Sequence, residues 1–278
     1  VNAGAKLGGF GLALVAVLGA GAAVGQVAGP VDTSTGAEAH EVEHSADAGN
    51  DTHDAVPAGL QVSQDGYTFV PTTRSLSGGR LTFAVVGPDG EPVTRFDVLH
   101  DRRLHLILAS RDLRQYAHLH PTMAPDGTWS VEVPTLAAGA YRAFADVQPT
   151  GAEHVTLGID MSVPGPLEPT PTLTASDRDE VDGFEVDLSA DEDGTVTVTV
   201  RRDGEVVTTE PYLGAAGHLV ALRDGDLAYL HVHPLDEEPA GPVRFGVEYP
   251  SEGRYALFFD FQVDGTVHTA RFVVEHLR

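Results

Sequence analysis

From residue 59 onward the chain is written in short alternations of apolar and polar residues, broken by turn residues. The runs LQV (60–62), YTFV (67–70), LTFAVV (81–86), LHLIL (104–108), WSVEV (129–133), YRAFADV (141–147) and VTLGI (155–159) are separated by turns such as QDG, GPDGEP, SRDLR, PDG and AAG. Alternation at a period of two puts every second side chain on one face of a pleated strand, and Gly, Asp and Pro supply the turns. After Pro164, Pro166, Pro169 and Pro171 the same texture returns. It reads FEVDL (184–188), TVTVTVRR (195–202), HLVAL (218–222), YLHVH (229–233), VRFGVEY (243–249), YALFFDF (255–261) and TARFVVE (269–275). Neither half shows a long helical period. About seven strands at regular spacing in roughly 100 residues predict an immunoglobulin-like β-sandwich. The expected fold is therefore all-β: two tandem sandwich domains over 58–165 and 178–278, joined by a Pro-rich linker at 166–177.

The N-terminal pattern is different. Residues 7–31 carry no charge and include GFGLALVAVLGAGAAV, more than the roughly 20 apolar residues that span a bilayer. With Lys6 on the side that stays cytoplasmic, 1–31 is expected to be a single transmembrane helix that leaves the domains extracytoplasmic. Ala20-Gly21-Ala22 keeps open the alternative of a cleaved signal peptide and a secreted product. Residues 32–57 hold no aromatic and many acids, and cannot bury enough surface to fold alone. They are expected to form a disordered acidic tether, in which His40, His44 and His53 are either incidental residues of a solvated linker or, set among acids, a composition able to bind divalent cations loosely.

The two sandwiches are copies of each other. HLILASRDLRQYAHLHP (105–121) and HLVALRDGDLAYLHVHP (218–234) both read H, twelve residues, H-x-H-P. Downstream, Tyr141, Phe144, Asp146, Gly151 and His154 recur 114 residues later as Tyr255, Phe258, Asp260, Gly265 and His268. Eight of the thirteen histidines thus occupy equivalent positions: His105, His118, His120 and His154, then His218, His231, His233 and His268. Asp224-Gly225 predicts a two-residue type I′ hairpin with Arg223 opposite Asp226. His218 then lies opposite His231 in a non-hydrogen-bonded pair, with Cα atoms about 4.5 Å apart. His233 leaves the same face two residues on, and the equal spacing predicts His105 opposite His118 with His120 beside them. In the first copy the other face carries Leu104, Leu106, Leu108, Ala117 and Leu119 and is expected to meet the core. That leaves the histidines on the outer face or at an interdomain contact. Tyr116 and Tyr229 are expected to pack on the histidine face and Trp129 in the core, while His100 and His276, without counterparts, are expected at the surface.

Three neutral imidazoles on one patch suit Cu(II) or Zn(II). His154 and His268 are candidate fourth ligands, and Asp146 and Asp260 are candidate carboxylates that orient a ring. A tight VDGT hairpin would turn His268 and Asp260 to opposite faces. With no Cys and only Met123 and Met161, the chain has no thiolate for zinc or blue copper and too little thioether for a cuprous site. A net charge of −24 argues against nucleic acid as a partner and for cationic or neutral ones.

The apolar N-terminal run, the sandwich pattern over 59–278 and the repeated H-x-H resemble bacterial cell-envelope proteins associated with copper and heavy-metal handling, the CopC-like and YtkA-like β-sandwich groups. The resemblance implies extracytoplasmic binding, buffering or delivery of a divalent metal, with a metal-transport protein as donor or acceptor. The N-terminal histidine motif of CopC and the methionine-containing motif of periplasmic copper chaperones are absent, which directs the expectation to Cu(II) or Zn(II). One site per domain is expected, weakening below about pH 6 as free imidazoles protonate. No enzyme is expected. HVHP is similar to the copper strand of copper–zinc superoxide dismutases, but no bridging histidine with a glycine-rich zinc loop accompanies it, and no Glu stands at the cupin spacing. A copper-dependent oxidoreductase and a metal-free structural or adhesion module of the envelope are the alternative readings.

Overall fold

The computed structural model describes residues 56–276 except 77–78, 168–170, 192–193, 231 and 236–240, and the side chain of His233. The expected membrane helix, the tether up to residue 55 and His231 lie outside the described residues. Among the described residues none is helical, and no helix is long and apolar enough to cross a membrane.

The first repeat comprises β1 (Ser63–Gln64), β2 (Tyr67–Pro71), β3 (Arg80–Val86), β4 (Leu104–Ser110), β5 (Tyr116–Leu119), β6 (Thr122–Met123), β7 (Trp129–Glu132), β8 (Gly139–Val147) and β9 (Val155–Val163). They form two antiparallel sheets, ordered β1-β2-β3-β7-β6 and β5-β4-β8-β9. Phe69, Leu81, Phe83 and Trp129 from one sheet close on Leu104, Leu106, Leu108 and Tyr141 from the other, as the alternation of those strands requires. The second repeat comprises β10 (Arg178–Val181), β11 (Phe184–Ala190), β12 (Thr195–Arg202), β13 (Glu205–Val206), β14 (His218–Arg223), β15 (Tyr229–Leu230), β16 (Val232–Pro234), β17 (Val243–Val247), β18 (Gly253–Val263) and β19 (Thr266–His276). Its sheets run β10-β11-β12-β17-β16, with β13 on β12, and β15-β14-β18-β19. Both repeats are thus β-sandwiches of immunoglobulin-like kind, and both belong to one compact unit spanning His53–Arg278.

Every residue of β4 is buried, which one sandwich core cannot explain because half of its side chains point away from that core. The outward half meets the other repeat. Ile107, Ala109, Leu113 and Phe144 form a second apolar layer with Val220, Leu222, Leu227, Tyr229 and Phe258. Tyr116 stacks on Phe258 with ring centroids 4.2 Å apart and planes 4° from parallel, and Phe144 meets Tyr229 at 5.5 Å. Since Tyr116 and Tyr229 are equivalent in the repeat, as are Phe144 and Phe258, each repeat presents the same face to the other. A sheet covered on both sides reads as apolar on both sides, which accounts for the undifferentiated pattern of β14 and β18. The Pro-rich segment is held against both domains: Pro171 and Leu173 carbonyls accept hydrogen bonds from Arg114 at 3.0 Å and Arg254 at 2.9 Å.

Candidate metal centre

The hairpins that carry the histidines close differently from the expectation. Ile107 pairs with His118 and Leu106 with Leu119, so continuing the register sets His105 opposite His120 rather than His118. In the second repeat Ala221 pairs with Leu230 and Leu222 with Tyr229, the same two-residue shift, and His233 then pairs with Gly246 of β17 rather than with β14. The loops are four residues long instead of two. Asp224-Gly225 does not close the turn alone, because Leu227 takes a left-handed φ of 63° and the Asp226 carboxylate accepts from the Ala228 amide at 3.1 Å and from Arg223 at 3.0 Å. In the first repeat Leu113 has φ 57°, and Ser110 Oγ accepts from the Arg114 and Gln115 amides at 3.1 and 2.9 Å. A slip of two residues leaves every side chain on its original face, so the imidazoles of the first repeat still converge.

They converge at the interdomain layer. His105 Nδ1 lies 2.9 Å from His118 Nε2. The outer nitrogen of each ring has its own partner: His105 Nε2 is 3.0 Å from the Leu99 carbonyl, and His118 Nδ1 is 2.8 Å from Asp260 Oδ2 of the second repeat. A carbonyl and a carboxylate only accept, so both outer nitrogens carry the hydrogen and, in neutral rings, both inner nitrogens carry lone pairs. Two lone pairs then face one another at hydrogen-bond distance with no proton between them. His120 stands beside them with a buried Nε2 that has no hydrogen-bond partner. Ligand nitrogens of all three lie within 4.8 Å of one another, and among the described residues this is the one such group of His, Asp or Glu.

Ring spacing gives a second test. A bound ion sits about 2.0–2.1 Å from nitrogen and so roughly 3.2 Å from the ring centroid, which puts two rings sharing it at 90–120° roughly 4.5–5.5 Å apart. The three centroid separations are 5.2 Å for His105–His118, 5.2 Å for His105–His120 and 4.8 Å for His118–His120. Two of the three rings are held neutral at pH 7. Burial, with neighbouring imidazoles adding to it, holds His105 at about 4 and His120 at about 3.

The remaining predicted residues separate. His218 joins the cluster from the second repeat, its ring 6.1 Å from His118 and 6.2 Å from His105, with Nε2 held by the Tyr212 carbonyl at 2.9 Å. Burial and the nearby histidines hold it at about 4. His154 borders the same cavity of about 290 Å³, where Asp146 Oδ1 accepts from its Nε2 at 2.6 Å. Burial acts to lower the His154 pKa, and the hydrogen bond and charge of Asp146 outweigh it and raise it. His268 is not brought in. It pairs with Phe261 on the core side of β18, and its Nδ1 is 2.8 Å from Asp182, so Asp260 and His268 do face opposite ways. His233 lies on β16, in the other sheet of its sandwich.

Two features escaped the sequence reading. Asp260 orients a histidine of the other repeat, and nothing in spacing along one chain signals a partner across a domain interface. His100 is exposed, as expected, yet its ring lies 5.3 Å from His218 and 6.1 Å from His105, at the mouth of the cluster.

No curated protein matches the chain in sequence. Among solved structures, a two-domain fibronectin type III segment of chicken tenascin aligns at 10% identity over 75% of this chain and 97% of its own, with a TM-score of 0.23. A titin segment aligns at 10% identity over 76% and 98%, with a TM-score of 0.21. The N-terminal Ig1-2 module of the Drosophila receptor protein tyrosine phosphatase DLAR aligns at 10% identity over 74% and 95%, with a TM-score of 0.18. One family model matches the chain twice, over 61–163 and 178–277. The chain therefore belongs to that family, described as a domain of unknown function (DUF8832), and carries two copies of it.

Proposed function

We propose that the protein binds a divalent transition metal, Cu(II) or Zn(II), through His105, His118 and His120, and that its role is extracytoplasmic binding, buffering or delivery of that ion. The observation that carries the reading is the 2.9 Å contact between His105 Nδ1 and His118 Nε2, two inner nitrogens whose outer partners can only accept. Neutral rings leave that contact without a proton, and a Lewis-acidic cation satisfies both lone pairs and the unpartnered His120 Nε2 together. Imidazole-only donors favour Cu(II) or Zn(II) over Mg(II) or Ca(II), which take oxygen. The reading includes a membrane anchor in residues 1–31, loose cation capture by His40, His44 and His53, and a metal-transport protein as donor or acceptor. The resemblance to copper-handling envelope proteins is part of the same proposal.

A second reading has support of its own. A proton on His118 Nε2 also satisfies the contact, and Leu99, His105, His118 and Asp260 then form a hydrogen-bonded chain that joins the repeats without metal. Calorimetric titration of the whole chain with Cu(II) and with Zn(II), beside a variant carrying His105→Ala, His118→Ala and His120→Ala, separates the two. Loss of one saturable equivalent in the variant is the expected result. Equal stoichiometry and heat in both proteins would leave the proton-bridged chain standing and remove the metal.

A further inference from the structure

The two repeats differ most tellingly at the turn that supplies the carbonyl partner of each leading histidine. Leu99 bridges Arg102 and Tyr212 bridges Ala215, and the Leu99 and Tyr212 carbonyls accept from His105 and His218 respectively. Both turns place two successive residues in the left-handed region: His100 and Asp101 at φ 48° and 59°, Leu213 and Gly214 at 52° and 76°. His100 and Leu213 are thus equivalent. Leu213 is buried, as an apolar side chain at this place would be expected to be. His100 is exposed, held in a conformation that L side chains seldom adopt, with its ring beside the histidine cluster.

His218 is the nearest ring to it. With Nε2–H donating to Tyr212, the lone pair of His218 is on Nδ1, free for a cation. The His100–His218 centroid separation of 5.3 Å falls within the roughly 4.5–5.5 Å expected for two imidazoles sharing one ion. The separations from His105, 6.1 and 6.2 Å, lie outside it, so this pair is a position of its own next to the trio. Both rings border the cavity that His105 and His118 also line, so the outer position and two of the trio's rings share one cavity.

We infer that His100 and His218 form an outer metal position through which Cu(II) or Zn(II) is loaded onto, and withdrawn from, the buried trio; the inference rests on the trio being a metal site. The chemistry follows from ligand number. Two imidazoles leave the remaining coordination positions to water, so the ion there is held weakly and exchanges fast. The three-imidazole position is buried and sheds that water. Passing through the outer position lets the ion exchange waters for imidazoles in steps, without a bare intermediate. The second repeat accordingly contributes a ligand for exchange, and the first the ligands for retention.

The test uses the whole chain and Cu(II) supplied as its glycine complex. Electron paramagnetic resonance is recorded at one and two equivalents, and loading is followed by stopped flow, in the wild type, His100→Leu and His118→Ala. Leucine already occupies the equivalent turn position, so His100→Leu is expected to fold, and its near-ultraviolet circular dichroism checks this. The histidines of the tether are common to all three proteins and cancel in the comparison. The expected result is that His100→Leu loses a two-nitrogen signal at the second equivalent and loads the first more slowly than the wild type. A wild-type loading rate and an unchanged second-equivalent signal in His100→Leu would overturn the outer position while leaving the trio intact. Unaltered first-equivalent binding in His118→Ala would instead overturn the trio, and the outer position with it.

Discussion

Replacing Asp260 by Asn tests whether the centre is shared between the repeats. Asp260 belongs to β18 of the second repeat and is 2% exposed, yet its Oδ2 accepts from His118 of the first, while Oδ1 accepts from Thr269 Oγ1 at 2.6 Å. Asparagine preserves the shape and one acceptor and removes the charge. A hydrogen bond to a charged group is worth about 1.5–3 kcal/mol and one between neutral groups about 0.5–1.5, so the metal-free protein should lose about 1–1.5 kcal/mol. For a unit of this size that corresponds to a fall of roughly 2–6 °C in Tm. The effect on metal should be larger, because the carboxylate fixes the His118 tautomer and the orientation of its ring. Removing such a partner costs about 10–100-fold in affinity. Chelator competition reads the affinity, and melting in excess chelator reads the stability. Asp182→Asn makes the same change beside His268, outside the centre, and should leave affinity alone. A folded Asp260→Asn protein with wild-type affinity would refute the argument that the second repeat completes the site.

Other outcomes follow from the same geometry. His105 and His218 titrate at about 4 and His120 at about 3 when folded, so below the unfolded value of about 6.5 the unfolded chain binds more protons than the folded one. Metal-free stability should be full above that pH and fall as pH drops toward 4. His154, its pKa raised by Asp146, opposes this with stability present below pH 6.5 and lost as pH rises through the raised value. Urea titrations in chelator between pH 7 and 4.5 check the sign, and a flat profile would contradict it. Phe258→Ala removes the ring stacked on Tyr116 and should cost about 3–5 kcal/mol, splitting one calorimetric transition into two as the repeats uncouple. A single transition with unchanged Tm would count against the apolar layer as the coupling element. At Gly158 a Cβ would run into the Gly59 carbonyl, so Gly158→Ala should destabilise by about 1–3 kcal/mol in chemical denaturation.

The sandwiches, the duplication and the converging histidine face of the first repeat were legible because strand alternation and the 113–114-residue repeat are properties of the sequence itself. Leu104, Leu106 and Leu108 pointed to the core as their pattern required, which forced His105 to the other face. The register was not legible. Asp-Gly is a strong two-residue turn signal, but the loop length was decided by Leu227 and Leu113 accepting left-handed φ and by the polar side chains that brace them. Nor could Asp260 be assigned to His118, or His100 to the mouth of the cluster, because both depend on which faces of two domains meet. Apolar patterning marks a face as covered without saying by what.

The interface between the repeats is isologous in the sense used for dimers: Tyr116 on Phe258 answers Tyr229 on Phe144. Two separate copies of such a domain could assemble the same face, but the assembly would dissolve on dilution and any change in one copy would appear in both. Covalent fusion removes both limits. The partner face is present at a high and fixed effective concentration, so a site built across it persists however scarce the protein is. Each half is also free to change alone, which is how one turn carries His100 where the other carries Leu213, and how His154 turns to Asp146 while His268 turns to Asp182.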